Sequence, residues 1–150
     1  SEGVPPDFKY LAVQESSLTP DAVSTSTAVG YWQFKRETAV DHGLRVDDEV
    51  DERKNLTAAT RAAARYLKRA QAQYQNWVSA LFSYYLGLGG ISKLVPADWN
   101  GADEITLTGR TDRYVLRIFA HKIALGGALA TYQAANPLAL VEYPHGGGKT

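Results

Sequence analysis

Three observations predict an all-α (mainly α) domain. Apolar residues recur at helical spacing in separate stretches near residues 8–15, 56–74, 77–86 and 111–125. No series of alternating apolar and polar residues marks out strands, and no internal repeat is present. The segments between the helical stretches are rich in Ser, Thr, Gly and charged residues, which suits loops.

The first stretch opens with Val4-Pro5-Pro6-Asp7. Prolines suit a helix start, and Asp7 places favourable charge in the first turn. Phe8, Leu11, Ala12 and Glu15 then fall on one face, so a carboxylate completes an otherwise apolar stripe. Residues 17–30 read as a loop, with a Pro20-Asp21 turn signal. A short helix is expected over residues 35–42, with Gly43 as its stop. Five acids in the six positions from Asp47 to Glu52 read as a solvated loop, because a calcium loop needs a ligand pattern and a turn glycine that are missing.

Asn55 is a good cap for the next helix, over residues 56–74, with an apolar face of Ala59, Ala62, Ala63, Tyr66, Leu67, Ala70 and Tyr74. So many alanines predict close helix–helix packing. Another helix covers residues 77–86, with Trp77, Ala80, Leu81 and Tyr84 on one side, and ends in Gly87-Leu88-Gly89-Gly90. Residues 92–110 are polar and irregular, with an extended piece at Ile105-Thr106-Leu107. The last helix, over residues 111–125, buries Tyr114, Val115, Ile118 and Phe119. From Asn136 the chain reads as a tail or linker, ending in Gly146-Gly147-Gly148-Lys149-Thr150.

The 150 residues suit one domain able to bury a core without staples, and the 45% apolar share is that of an ordinary globular chain. Sixteen basic residues balance sixteen acidic ones with no basic block, which argues against a nucleic-acid partner. The chain has no cysteine, so neither a disulfide framework nor a thiolate metal site is expected. His42, His121 and His145 lack zinc spacing, and no metal or other cofactor is expected. Neither a signal peptide nor a membrane-spanning run is expected within these residues. Ser1 in place of Met suggests that any targeting segment lies outside these residues.

Glu15 is the residue that chemistry singles out. Burial raises a carboxylate's pKa, and the negative end of a helix dipole acts in the same direction. A carboxylic acid that is neutral near pH 7 is what protonation of a glycosidic oxygen requires. The same spacing is also met by a glutamate that bends out to solvent or caps a neighbouring loop. Gly30-Tyr31-Trp32-Gln33-Phe34 offers a close-approach glycine, a stacking plane and a bifunctional amide, a set that suits a sugar; a core aromatic cluster fits it equally. Ser83-Tyr84-Tyr85 and Arg113-Tyr114-Val115 each lie at an end of a helix.

In this order the pieces resemble the lytic murein transglycosylases of the soluble-transglycosylase-like, goose-lysozyme-related superfamily, most closely the membrane-bound type D branch. The matching stretches are Tyr10-Leu11-Ala12-Val13-Gln14-Glu15-Ser16, Ala28-Val29-Gly30-Tyr31-Trp32-Gln33-Phe34, Gly43 to Asp47 with Val50 to Arg53, Thr60 to Leu67, and Asp112-Arg113-Tyr114-Val115. They run from Val4 to about Leu125.

The resemblance implies a lysozyme-like helical catalytic domain over residues 1–135, followed by a tail at 136–150. It implies cleavage of the β-1,4 bond between N-acetylmuramic acid and N-acetylglucosamine, with Glu15 as the single acid/base and 1,6-anhydromuramoyl ends as product. Substrate contacts are implied for Ser16, Gly30, Tyr31, Trp32, Gln33, Tyr84, Tyr85 and Tyr114. The expected partner is the peptidoglycan glycan strand, with the protein acting as a monomer in the periplasm or at the outer membrane of a Gram-negative bacterium. Cell-wall-binding repeats are expected beyond Thr150.

Two departures stand out. Tyr85 occupies the family's usual asparagine position and Leu88 a usual proline, which predicts altered sub-site preference. Two other readings remain. A goose-type hydrolase would need a second carboxylate, for which Asp21 and Asp41 are the nominees. A non-catalytic glycan-binding module would keep the fold and lose cleavage.

Overall fold

The computed structural model describes residues 3–88, together with Arg117 and Ala120, which are helical and exposed. Four α-helices occur among the residues with described placement: α1 (Lys9–Ser16), α2 (Arg36–Asp41), α3 (Leu56–Tyr74) and α4 (Trp77–Leu86). Short 3₁₀ turns at Pro6–Phe8 and Glu52–Lys54 precede α1 and α3. The architecture is mainly α, and β pairing among the described residues is confined to the isolated antiparallel bridges Val23–Val29, Val29–Phe34 and Val46–Asp51. The expected extended piece at Ile105-Thr106-Leu107, the tail and, apart from Arg117 and Ala120, the last helix lie outside the described residues.

Pro6 opens the first 3₁₀ turn, where a missing N–H costs nothing, and the chain runs directly into α1. That helix ends where Ser17 turns left-handed (φ 51°) and donates its N–H to the Val13 carbonyl. Tyr10, Leu11, Ala12 and Ser16 are its buried residues. Phe8 and Glu15 are half-buried, so Glu15 stands at the margin of the apolar stripe and not at its centre. The short helix predicted over residues 35–42 is α2, and Gly43 follows it at φ 83°. Arg65 of α3 donates from Nε (3.0 Å) and Nη2 (2.5 Å) to the His42 carbonyl, which satisfies the end of α2.

The acidic loop is partly solvated, as expected, but it is also built. Asp47 accepts from the Glu49 and Val50 N–H groups and pairs with Arg45, at an exposed position where an ion pair contributes little. Asp51 is half-buried, contrary to a purely solvated reading. It caps the second 3₁₀ turn and grips the buried Arg53 through both carboxylate oxygens, at 2.8 and 2.7 Å. The guanidinium needs that partner because its remaining Nη1 is turned inward, to the Phe34 carbonyl at 3.2 Å.

The long helix α3 begins at the predicted cap, where Asn55 accepts the Ala58 N–H. Ala59, Ala62, Ala63, Tyr66, Leu67 and Ala70 are buried along it, as the face predicted. It packs against α4. Ala59, Ala62, Ala63 and Ala70 leave room for that approach, and Tyr66 crosses it to donate to the Ser83 carbonyl at 2.7 Å. Burial of α4 goes further than the one predicted side. Ser79, Ala80, Leu81, Phe82 and Ser83 are all buried, while Trp77 and Tyr84 are partly so. The core joins Leu11, Ala12, Trp32, Phe34, Ala39, Leu44, Leu67, Leu81 and Phe82, and so gathers α1, α2, α3 and α4 around residues 32–34.

Candidate active site

Between α1 and α2 the chain folds into a compact flap. Val29 bridges to both Val23 and Phe34, and the Gly30 N–H donates to the Ala22 carbonyl at 2.9 Å. Two tight turns make this possible, with Thr27 at φ 65° and Gln33 at φ 51°. Gly30 is required at its position. It adopts φ 86°, and a Cβ there would lie 2.0 Å from the Arg53 carbonyl oxygen.

Four ties hold residues 30–34 in place. The Ser16 hydroxyl donates to the Tyr31 carbonyl at 2.8 Å, and the Tyr84 hydroxyl donates to the Trp32 carbonyl at 2.5 Å. The Trp32 indole N–H donates to Thr60 Oγ1 at 3.0 Å, and Arg53 supplies the bond to Phe34 already described. The segment is therefore fastened to α1, α4, α3 and the second 3₁₀ turn.

Beside the flap lies a cleft of about 430 Å³. The ends of α1 and α4 contribute Glu15, Tyr84, Tyr85, Leu86 and Gly87, and α3 contributes Tyr66. The flap and the start of α2 contribute Ser24, Ser26, Ala28, Gln33, Phe34, Lys35 and Thr38. Glu15, Gln33, Tyr84 and Tyr85, four of the residues singled out from sequence, are thus brought together. Ser16, Gly30, Tyr31 and Trp32 stand outside the lining, in the framework just described. Tyr114 lies outside the described residues.

Gln33 is fixed by two bonds from its amide Nε2, to the carbonyls of Ala22 and Gly30, both at 3.0 Å. Tyr84 is held edge-on against Trp32 and Tyr66, with Phe34 tilted alongside. Its phenol is pushed well above the usual tyrosine range, by burial first and then by the neighbouring charge of Glu15 and by Tyr66. Tyr84 is thus a neutral donor throughout the physiological range. Burial also raises Tyr66, against the opposing effect of its bond to Ser83. Behind Tyr66, His42 Nδ1 lies 2.8 Å from the Thr38 carbonyl oxygen, which places the proton on Nδ1. Tyr85 is 54% exposed and lines the cleft at its rim.

Sequence reasoning missed Ser24, Ser26, Lys35, Thr38 and Tyr66 as lining residues. Tyr66 carried a core signal and a place in a matching stretch but no site signal of its own, and the flap that aims the two serines depends on Thr27 and Gln33 at positive φ as well as on Gly30. The nominated second carboxylates are elsewhere. Asp21 is exposed and paired with Lys54 at 2.8 Å, Asp41 is exposed at the end of α2, and neither lines the cleft. Among the described residues, Glu15 is the single carboxylate that does.

Residues 2–104 match the model of the transglycosylase SLT domain family. Two curated relatives, the membrane-bound lytic murein transglycosylase D proteins of Escherichia coli strain K12 and of E. coli O6:H1, are each 28% identical over 93 residues. That stretch is 61% of this chain and 21% of either relative, so the chain spans 21% of the length of the curated proteins it matches.

Proposed function

Since the chain belongs to the transglycosylase SLT domain family, we propose that it is a lytic transglycosylase acting on peptidoglycan. The bond cleaved is the β-1,4 link between N-acetylmuramic acid and N-acetylglucosamine. Glu15 protonates the oxygen that leaves C1 of the muramoyl sugar, and the C–O bond breaks. The carboxylate so formed then takes the proton from the C6 hydroxyl, whose oxygen closes onto C1. Glu15 is restored, no water is consumed, and a 1,6-anhydromuramoyl end results.

The observation that carries this reading is that, among the described residues lining the cleft, Glu15 is the single carboxylate. Hydrolysis by an inverting or retaining glycosidase calls for two carboxyl groups flanking the bond, one to protonate and one to activate water or attack. Glu15 alone serves a reaction in which the nucleophile is the substrate's own hydroxyl and the substrate's N-acetyl group stabilises the cationic intermediate. Tyr84, held neutral beside Glu15, and Gln33, with its amide fixed by the flap, contact the strand near the reacting bond. Tyr85 offers a ring face at the rim. Ser16, Gly30 and Trp32 act by holding the flap, and Tyr31 and Tyr114 complete the contacts. The site of action is the cell envelope, in the periplasm or at the outer membrane of a Gram-negative bacterium.

The test is mass spectrometry of muropeptides released from purified peptidoglycan by the wild-type protein and by Glu15→Gln. Ends lighter by one water than hydrolysis products, absent with the variant, are the expected result. Reducing muramoyl ends would mean a hydrolase, and glycan binding without any release would mean a binding module.

A further inference from the structure

Resting on the reading that the cleft takes a muramoyl-containing strand, we propose that Lys35 is a specificity-determining residue that pairs with a carboxylate carried on the C3 substituent of the substrate's sugar. Lys35 is the only Lys or Arg among the described lining residues, facing the same cleft as Glu15. Of the other described cations near the flap, Lys54 holds Asp21, Arg53 holds Asp51, and Arg45 holds Asp47 and Glu49, while Arg36, next in sequence, does not line the cleft. Lys35 makes no ion pair among the described residues, and its side chain is exposed.

Its backbone, by contrast, is fixed. It is extended (φ −72°, ψ 153°) at the entrance to α2, and its carbonyl accepts the Ala39 N–H at 2.9 Å. A long stem with three donors on a fixed base suits a carboxylate on a flexible substituent better than one on a rigid ring.

The rest of the described lining offers no second positive charge. The N–H groups of Gln33 are committed to backbone carbonyls, and one of the Ser24 and Ser26 hydroxyl protons is used in the bond between them at 3.1 Å. A substrate carboxylate entering the cleft is repelled by Glu15 whenever Glu15 is ionised, and Lys35 offsets that repulsion. Two sources supply the same chemistry. One is the free lactyl carboxylate of a strand stripped of peptide; the other is a carboxylate of an attached stem peptide. A chitin oligomer has neither.

The test is calorimetric titration of the full chain in a Glu15→Gln background, with Lys35 retained or changed to Gln or Arg. The probes are a peptide-free muramoyl tetrasaccharide, its stem-peptide-bearing counterpart, and chitotetraose. Lys35→Gln is expected to weaken binding of at least one muramoyl probe roughly three- to fivefold at low salt, leaving chitotetraose unchanged. Lys35→Arg restores it, and added salt shrinks the difference. The probe that loses affinity identifies the carboxylate. Equal weakening of all three probes, no weakening of any, or no binding of either muramoyl probe overturns the proposal. Release of anhydro ends by the wild-type protein is scored separately. Cleavage with Lys35-independent binding therefore refutes only the role of Lys35, while Lys35-dependent binding without cleavage refutes only the transglycosylase reading.

Discussion

Asp51 and Arg53 show how one pair of side chains supports a cleft that neither of them lines. Their side chains are 23% and 10% exposed, and the guanidinium spans from Asp51 to the Phe34 carbonyl of the flap. Arg53 holds the Asp51 carboxyl below the usual carboxylate range, chiefly through its side-chain bond; partial burial opposes this, and the Arg53 N–H adds to it. A carboxyl whose folded pKa lies below its unfolded one stabilises the fold fully above the unfolded value, and that stabilisation is lost as pH falls through the folded value. The unfolded value is about 4. Asp51→Asn should therefore cost roughly 1–3 kcal/mol at neutral pH, because it leaves a buried guanidinium short of its acceptors. Below about pH 4 the gap between variant and wild type should close. Thermal melts from pH 7 to pH 2 check this, and parallel curves across that range would refute the assignment.

Helix α4 carries Tyr84 and Tyr85, and its start depends on one amide. Asn76 is buried and accepts the N–H groups of both Val78 and Ser79, at 2.9 and 3.0 Å. Asn76→Ala should lower stability by about 2 kcal/mol, the upper end for a lost helix cap, whereas Asn76→Asp, which keeps the acceptor, should lose much less. Urea unfolding with unchanged m measures both, and a loss below about 0.5 kcal/mol for the alanine variant would contradict the role. The extents of α3 and α4 were legible because α3 repeats apolar residues at helical spacing along one face and α4 is a largely apolar run, each with clear ends. Asn55 was legible as a cap because a charged loop precedes it. Asn76 was not, because the break before it is made by Gln75 at φ 51°, where glycine would have announced a turn. The buried side of α4 was only half legible for a related reason. Close packing against α3 selects small side chains, so Ser79 and Ser83 are buried there although serine reads as polar. The site divides in the same way: Glu15, Gln33, Tyr84 and Tyr85 stand out by residue type and order, whereas Ser24, Ser26 and Thr38 reach the cleft only through the folding of the flap.

Across the molecule, the ties on residues 30–34 converge from helices that are far apart in sequence, and this convergence links the geometry of the cleft to stability. Ser16 follows Glu15 on α1 and binds the Tyr31 carbonyl; Tyr84 lines the cleft and binds the next carbonyl, that of Trp32. Each bond thus joins a cleft wall to the segment that orients Gln33. Ser16→Ala and Tyr84→Phe should each cost about 1 kcal/mol, the net worth of one buried hydrogen bond. If the two ties act on one rigid segment, the second loses most of its value once the first is broken, because the segment has already loosened. The double variant should then fall short of the summed losses by about 0.5 kcal/mol or more, in urea unfolding and in the free-energy equivalent of the cleavage rate alike. Independent ties would instead add to within about 0.3 kcal/mol. Additivity in both measurements would show that the flap is held locally at each carbonyl, and that Ser16 influences cleavage, if at all, by its own contact with the strand.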